Sequence, residues 1–239
     1  MNSKERVRAA IAGEDVDRVP LGFYAVDYDT VERVLGRLES VRTEPERALT
    51  AMVVDSVPSA VRTMLGERAT LLERVAPTML FADDEQLVSV ALRPPVGPDP
   101  FVSQQETFRI EREWFQPRGR YALALVRADL FAMGEYRGDE QIRFSGFESE
   151  VRGDHSKGGY SQARFERRRD QQIDDHLDRA RSAISDVETD RVYVVGESTL
   201  LADFRDLAAV TRPAGATGSP REALEYAYEE FWTVSLTLL

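Results

Sequence analysis

In the middle of the chain, apolar and aromatic residues come in three runs of strand length: Arg120–Val126, Leu130–Tyr136 and Gln141–Phe147. Only Ala128-Asp129 and Arg137-Gly138-Asp139 separate them, which predicts a β-meander. A polar, glycine-rich stretch follows at Val151–Gly159, and beyond it the period changes. Ile173, Leu177, Ala180 and Ile184 recur at helical spacing and predict one apolar stripe on a long helix starting at Ser161. Arg191–Gly196 reads as a buried strand leading into a helix that carries Leu200, Leu201, Phe204 and Leu207. A last helix is signposted by Ser219 as N-cap, Pro220 in the first turn and Glu222 as capping-box partner.

The first half is less regular. It predicts a short helix at Lys4–Ala12, an extended stretch at Arg18–Phe23 and a helix from about Asp29 to Leu38. Ala48–Val54 has a buried-strand pattern, and Ser56-Val57-Pro58 opens a helix that stops at Gly66. Thr78–Ala82 and Leu87–Leu92 read as strands, whereas the proline-rich Arg93–Pro100 cannot be a central one. Strands alternate with helices in the second half, so the expected fold class is mixed α/β: one central sheet with a β-meander, covered by helices.

Composition narrows the chemistry. The chain has 239 residues, a formal net charge of −11, 2 His and no Cys. That excludes a disulfide scaffold, a thiolate zinc site and a cysteine nucleophile, and leaves little room for a histidine-rich metal centre. A hydrophobic content of 42% excludes wholesale disorder. No apolar run approaches the roughly 18 residues of a membrane span, and the N-terminus lacks the apolar core of a signal peptide. The expectation is therefore a soluble, cytoplasmic protein. Of the 31 basic residues only Lys4 and Lys157 are lysine. Acid excess with scarce lysine and absent cysteine resembles proteins of salt-loving archaea, whose carboxylate surfaces hold water in concentrated salt. A high-GC genome, which also prefers arginine, is the alternative.

An acidic total does not exclude a nucleic-acid partner, because charge acts locally. Arg152, Lys157, Arg164, Arg167, Arg168 and Arg169 face only Asp154 and Glu166 within their window, which is +4 in a chain of −11. Such a reversal suits a phosphate-binding surface. Gly153, Gly158 and Gly159 let the backbone bend and approach a ligand closely, and a helix start behind them offers N–H groups to anions. Arg164, Arg167 and Arg168 share a helical face. The plainer alternative is a surface loop followed by a solvated, charged helix. No phosphate-loop pattern surrounds the glycines. His155 is the nearby side chain with a pKa suited to proton transfer, but it is read as an RNA or structural contact. Tyr160 either stacks on a base or packs on the helix. Asp170, Asp174, Asp175 and Asp178 read as a solvated helix face, not a metal site. Trp114, Trp232, Met52, Met64 and Met79 read as packing residues.

The stretch Gly158-Gly159-Tyr160-Ser161-Gln162-Ala163-Arg164-Phe165-Glu166-Arg167-Arg168-Arg169 resembles the catalytic-domain signature of archaeo-eukaryotic class-I translation release factors. There a Gly-Gly-Gln loop follows a β-meander and precedes a helix beginning Ser-x-x-Arg-Phe-x-Arg. The closer likeness is to the ribosome-rescue and quality-control branch, archaeal release-factor-like peptidyl-tRNA hydrolases. In that branch the glutamine lies a few residues beyond the glycines, as Gln162 does. Tyr160-Ser161 between Gly159 and Gln162 departs from the strict motif, so Gln162 sits either at the loop apex or in the first helical turn.

The resemblance covers roughly Leu38–Leu239 and implies an RNase H-like, release-factor catalytic domain over 37–239, with 1–36 as an accessory segment of unassigned role. It implies hydrolysis of the peptidyl-tRNA ester, with Gly158, Gly159 and Gln162 at the reaction centre. Arg152, His155, Lys157, Tyr160, Arg164, Arg167, Arg168 and Arg169 would contact RNA. The implied partners are the large ribosomal subunit and peptidyl-tRNA; no membrane, metal or cofactor is expected. A non-catalytic, tRNA-mimicking ribosome-binding factor is the alternative. Separately, Lys4-Glu5-Arg6-Val7 through Leu21-Gly22-Phe23 is similar to the opening of uroporphyrinogen-decarboxylase-type barrels and related methyltransferases. A full barrel of about 250 residues does not fit the central meander.

Overall fold

The structure, a computed structural model, describes residues 23–26, 28–85, 87–149, 162–189 and 191–239. These divide into two units, Met1–Gln116 with Trp232–Leu239, and Pro117–Phe231. The expected helix at Lys4–Ala12 lies outside the described residues, as does the extended Arg18–Phe23 except for Phe23. The division at 36/37 does not coincide with that of the units, and Gly36 lies inside a helix.

The first unit contains β1 (Phe23–Val26), α1 (Tyr28–Ser40), β2 (Ala48–Val53), α2 (Ser59–Leu65), α3 (Ala69–Val75), β3 (Thr78–Asp83), β4 (Ser89–Arg93) and β5 (Phe101–Gln105). Its last strand comes from the other end of the sequence and is numbered β11 (Val234–Leu238). The strands form one antiparallel sheet in the order β1-β11-β4-β3-β2-β5. Every residue of β2 and β3 is buried because both faces are covered. Met52, Met79 and Phe81 pack with Val31, Val34, Leu35 and Leu38 of α1 and with Trp114. Leu49, Ala51, Leu80 and Ala82, which alternate with them, pack with Val61 and Leu65 of α2 and Leu72 of α3. Gly66 ends α2 with φ 58°, a conformation open to glycine at little cost.

The second unit contains β6 (Arg120–Val126), β7 (Leu130–Arg137), β8 (Glu140–Glu148), α4 (Gln162–Ser185), β9 (Val192–Gly196), β10 (Val210–Pro213) and α5 (Pro220–Trp232), whose last residue falls to the first unit. Its sheet runs β10-β9-β6-β7-β8. The meander β6–β7–β8 is antiparallel, whereas β9 pairs parallel to both β6 and β10. This mixed sheet is the expected meander with its following α/β units. On one face Ala122, Ala124, Val126, Phe131 and Met133 pack against Leu177, Ala180 and Ile184, the stripe read from the sequence. On the other face Tyr193 stacks on Phe231 of α5 at 5.1 Å, and Tyr136 stacks on Tyr228 at 4.8 Å. Glu222 accepts hydrogen bonds from the Ser219 backbone N–H at 3.0 Å and hydroxyl at 2.7 Å, so the predicted capping pair forms.

The mixed α/β fold with its meander, covered by helices, is found as expected, in two sheets rather than one: β1 to β5 and β11 make a sheet of their own. One expectation is corrected. The stretch with Leu200, Leu201, Phe204 and Leu207 is not a full helix: a single 3₁₀ turn, Leu201–Phe204, buries Leu201 and Phe204.

Candidate functional site

Strands β6, β9 and β10 run in one direction, and β8, two antiparallel steps from β6, runs the same way. Their carboxyl ends therefore gather at one edge of the sheet, where open α/β sheets place their ligand sites. Arg127 follows β6 there. Its Nη1 donates to the Ala216 carbonyl at 2.8 Å, and its Nε lies 3.5 Å from Asp129 and 3.9 Å from Glu197. A cavity of about 290 Å³ opens beside it, lined by Arg127, Asp129, Leu130, Glu148, Ser149, Thr217 and Gly218. At this edge the chain leaves β8, and it returns as α4 at Gln162.

Along α4, Ile173, Leu177, Ala180 and Ile184 pack on the sheet, but positions 167–171 are all exposed. A helix lying on a sheet buries a residue every three or four positions. Five exposed positions in a row mean that this stretch does not lie on the sheet. The helix is nevertheless continuous to Gln162, its first residue. At 1.5 Å per residue, Gln162 stands roughly 20 Å along the axis from His176, where α4 touches the end of β8.

The predicted site residues are distributed as follows. Arg152, His155, Lys157, Gly158, Gly159 and Tyr160 lie outside the described residues. Gln162 and Arg164 fall in the first turn of α4, so the backbone places Gln162 at the helix start. Arg167, Arg168 and Arg169 are exposed on the same continuous helix. No acidic residue occupies that first turn, although the helix dipole favours one there; Arg164 stands in its place. The charge order therefore suits an incoming anion better than it suits the isolated helix. Asp170, Asp174, Asp175 and Asp178 are exposed along the next turns. Among the described residues no cluster of three or more His, Asp or Glu is placed to hold a metal ion, and no helix is long and apolar enough to cross a membrane.

Sequence reasoning missed Ser149 and His176. His176 is 2% exposed on α4, and its Nδ1 lies 2.7 Å from Ser149 Oγ. The Ser149 N–H donates to the Asp129 carbonyl at 2.9 Å. Phe147 meets the imidazole edge-on at 5.1 Å and carries the Arg179 guanidinium 3.8 Å above its ring. Burial pushes the His176 pKa below its ordinary 6.5, outweighing the backbone of Leu130 and the charge of Asp129, so the ring is neutral at pH 7. A signal existed: His176 follows Ile173 by three and precedes Leu177, which puts a titratable ring on the buried stripe.

The mixed sheet with its meander, two covering helices and basic helix start defines an α/β class of known type. A family model described as Actinobacteria/chloroflexi VLRF1 release factor matches residues 119–237, just under half of the chain. Those residues are release-factor-like. No curated protein sequence matches. Among solved structures, the archaeal translation termination factor aRF1 aligns with 87% of this chain and 73% of its own, at 13% identity and a TM-score of 0.31. Pelota from Archaeoglobus fulgidus aligns with 90% of this chain and 64% of its own, at 11% identity and a TM-score of 0.29.

Proposed function

We propose that the chain is a peptidyl-tRNA hydrolase that releases nascent chains from stalled large ribosomal subunits. The observation that carries this reading is the match of residues 119–237 to a release-factor family. The matched region contains the meander, the segment with Gly158 and Gly159, and the helix that begins at Gln162. The hydrolytic module lies within 37–239, and its working parts lie in the second unit; 1–36 is an accessory segment of unassigned role.

Ester hydrolysis in a buried ribosomal centre needs an oriented water, stabilisation of the developing oxyanion and a probe thin enough to enter. Gly158 and Gly159 carry no side chain to obstruct entry. Gln162 supplies an amide that can both donate to and accept from a water without acting as a base. It stands at the start of a helix whose positions 167–171 are all exposed, which suits a probe. Arg152, Lys157, Arg164, Arg167, Arg168 and Arg169 hold RNA phosphates, with His155 and Tyr160 as further RNA contacts. The work is done in the cytoplasm with no cofactor. The family description names Actinobacteria and Chloroflexi, which favours the high-GC account of the arginine bias over adaptation to salt.

The test is release of peptide from purified peptidyl-tRNA–large-subunit complexes by wild type and Gln162→Ala. Release by the wild type, lost in the variant while binding persists, is the expected result. Equal release by both removes Gln162 from the reaction. Binding by both without release leaves the tRNA-mimicking, non-catalytic factor as the function. Retained release after Gly159→Pro counts against a segment that must bend into the centre.

A further inference from the structure

We propose that His176 is a positioning residue for the release reaction, acting through Ser149 to fix α4, the helix that begins at Gln162, against the end of β8. This rests on the hydrolase reading above. Gln162 begins α4, and Ser149 follows the last residue of β8. Two bonds hold Ser149. The Ser149 N–H donates to the Asp129 carbonyl at 2.9 Å, tying it to the β6–β7 turn. The Ser149 hydroxyl meets His176 Nδ1 at 2.7 Å, tying it to α4. The second bond joins the end of β8 to α4.

A packing role alone does not account for a histidine here. His176 is 2% exposed and stands among Phe147, Leu177 and Ile173, where an apolar ring would fill the space without desolvating a polar one. What imidazole adds to a phenyl ring at this point is the bond to Ser149, together with the interaction of the ring with the backbone of Leu130 and Arg127. Gln162 lies roughly 20 Å further along α4, so a small tilt of the helix at His176 becomes a displacement of ångström size at Gln162. Displacements of that size cost up to about a hundredfold in reactions that depend on orientation.

Release of peptide and affinity for the large subunit are measured for wild type, His176→Phe, Ser149→Ala, the double variant and His176→Asn. Phenylalanine keeps the volume and removes the bond; asparagine returns a polar group close to the place of Nδ1. The expected result is a release rate constant at saturating subunit about tenfold lower in His176→Phe and Ser149→Ala. Subunit affinity stays unchanged, the double variant is no worse than either single one, and His176→Asn recovers most of the rate. Should His176→Phe fail to fold, Ser149→Ala against His176→Asn carries the comparison, since Ser149 is only partly buried. Wild-type release with equal release by Ser149→Ala overturns the positioning role and leaves the hydrolase reading intact. Absence of release by the wild type overturns both.

Discussion

Gly196, the last residue of β9, faces Val126 across the parallel ladder so closely that a β-carbon would overlap the Val126 carbonyl oxygen. That same oxygen accepts the N–H of Glu197 at 3.1 Å, and Gly196 has φ 145°. The ends of β6 and β9 are thereby drawn together at the edge of the sheet where Arg127 and Ser149 lie. Gly196→Ala forces the ladder apart and places an L-residue in a backbone region it rarely adopts. The expected loss is about 2–3 kcal/mol. Denaturant unfolding followed by circular dichroism reads it; a midpoint equal to that of the wild type would show that the ladder relaxes freely.

Exposed arginines at the start of α4 lead to a different expectation. Arg167 and Arg168 are exposed, so Arg167→Gln and Arg168→Gln leave stability within about 0.5 kcal/mol. If the pair holds RNA phosphates, each substitution weakens binding to the large subunit. Each also lowers the slope of log K against log salt by about 0.7–0.9. A titration series in rising salt checks this. An unchanged slope with unchanged stability would make these arginines solvated bystanders.

How far the sequence reached depended on how local each signal was. Ile173, Leu177, Ala180 and Ile184 were legible because one helix face repeats in sequence, and all four pack on the sheet. Capping by Ser219 and Glu222 was legible because the partners are three residues apart. β5 and β10 escaped notice: both are short edge strands, only partly buried, and β10 contains Arg212 and Pro213. Only Thr233 separates the end of α5 from β11, so no turn signal marks the onset of the strand. Its partner β1 lies at the opposite end of the chain, and no local pattern announces pairing over that separation. For the same reason one sheet was expected where there are two. His176 and Ser149 are far apart in sequence and meet only once α4 lies on β8.

Lowering the pH reports on His176. Its folded pKa lies below the ordinary 6.5 because the ring is buried. Above about 6.5 the imidazole is neutral in both folded and unfolded chains, and its contribution is complete. As pH falls below that value the unfolded chain takes up a proton that the folded one refuses, so stability declines toward the folded pKa. The slope reaches at most about 1.4 kcal/mol per pH unit. The groups facing the ring are Ser149, the backbone of Leu130 and Arg127, Asp129 and Arg179. Glu222 and Asp206 have pKa values lowered by Ser219 and Arg181 respectively, so they lose their contributions only at more acidic pH. Unfolding measured between pH 5 and 7 in wild type and His176→Phe, with His155→Ala as a control, is expected to show a slope that only His176→Phe removes. A slope that persists in His176→Phe would assign it elsewhere.

The first unit depends on a strand supplied from beyond the second. β11 lies between β1 and β4 and pairs with both; Val234 and Leu236 are fully buried in the core beneath α1. Ending the chain after Trp232 removes those side chains, strips β1 of its ladder and turns β4 into an open edge. Burying two such side chains is worth roughly 3–6 kcal/mol, comparable with the whole stability of a domain. The second unit keeps β6 to β10, α4 and nearly all of α5. Hydrogen exchange followed by mass spectrometry should therefore lose protection in β2 and β3 of the shortened chain and keep it in β6 and β7. Equal loss in both regions would mean that the two units fold as one, and that the mixed sheet does not stand without the antiparallel one.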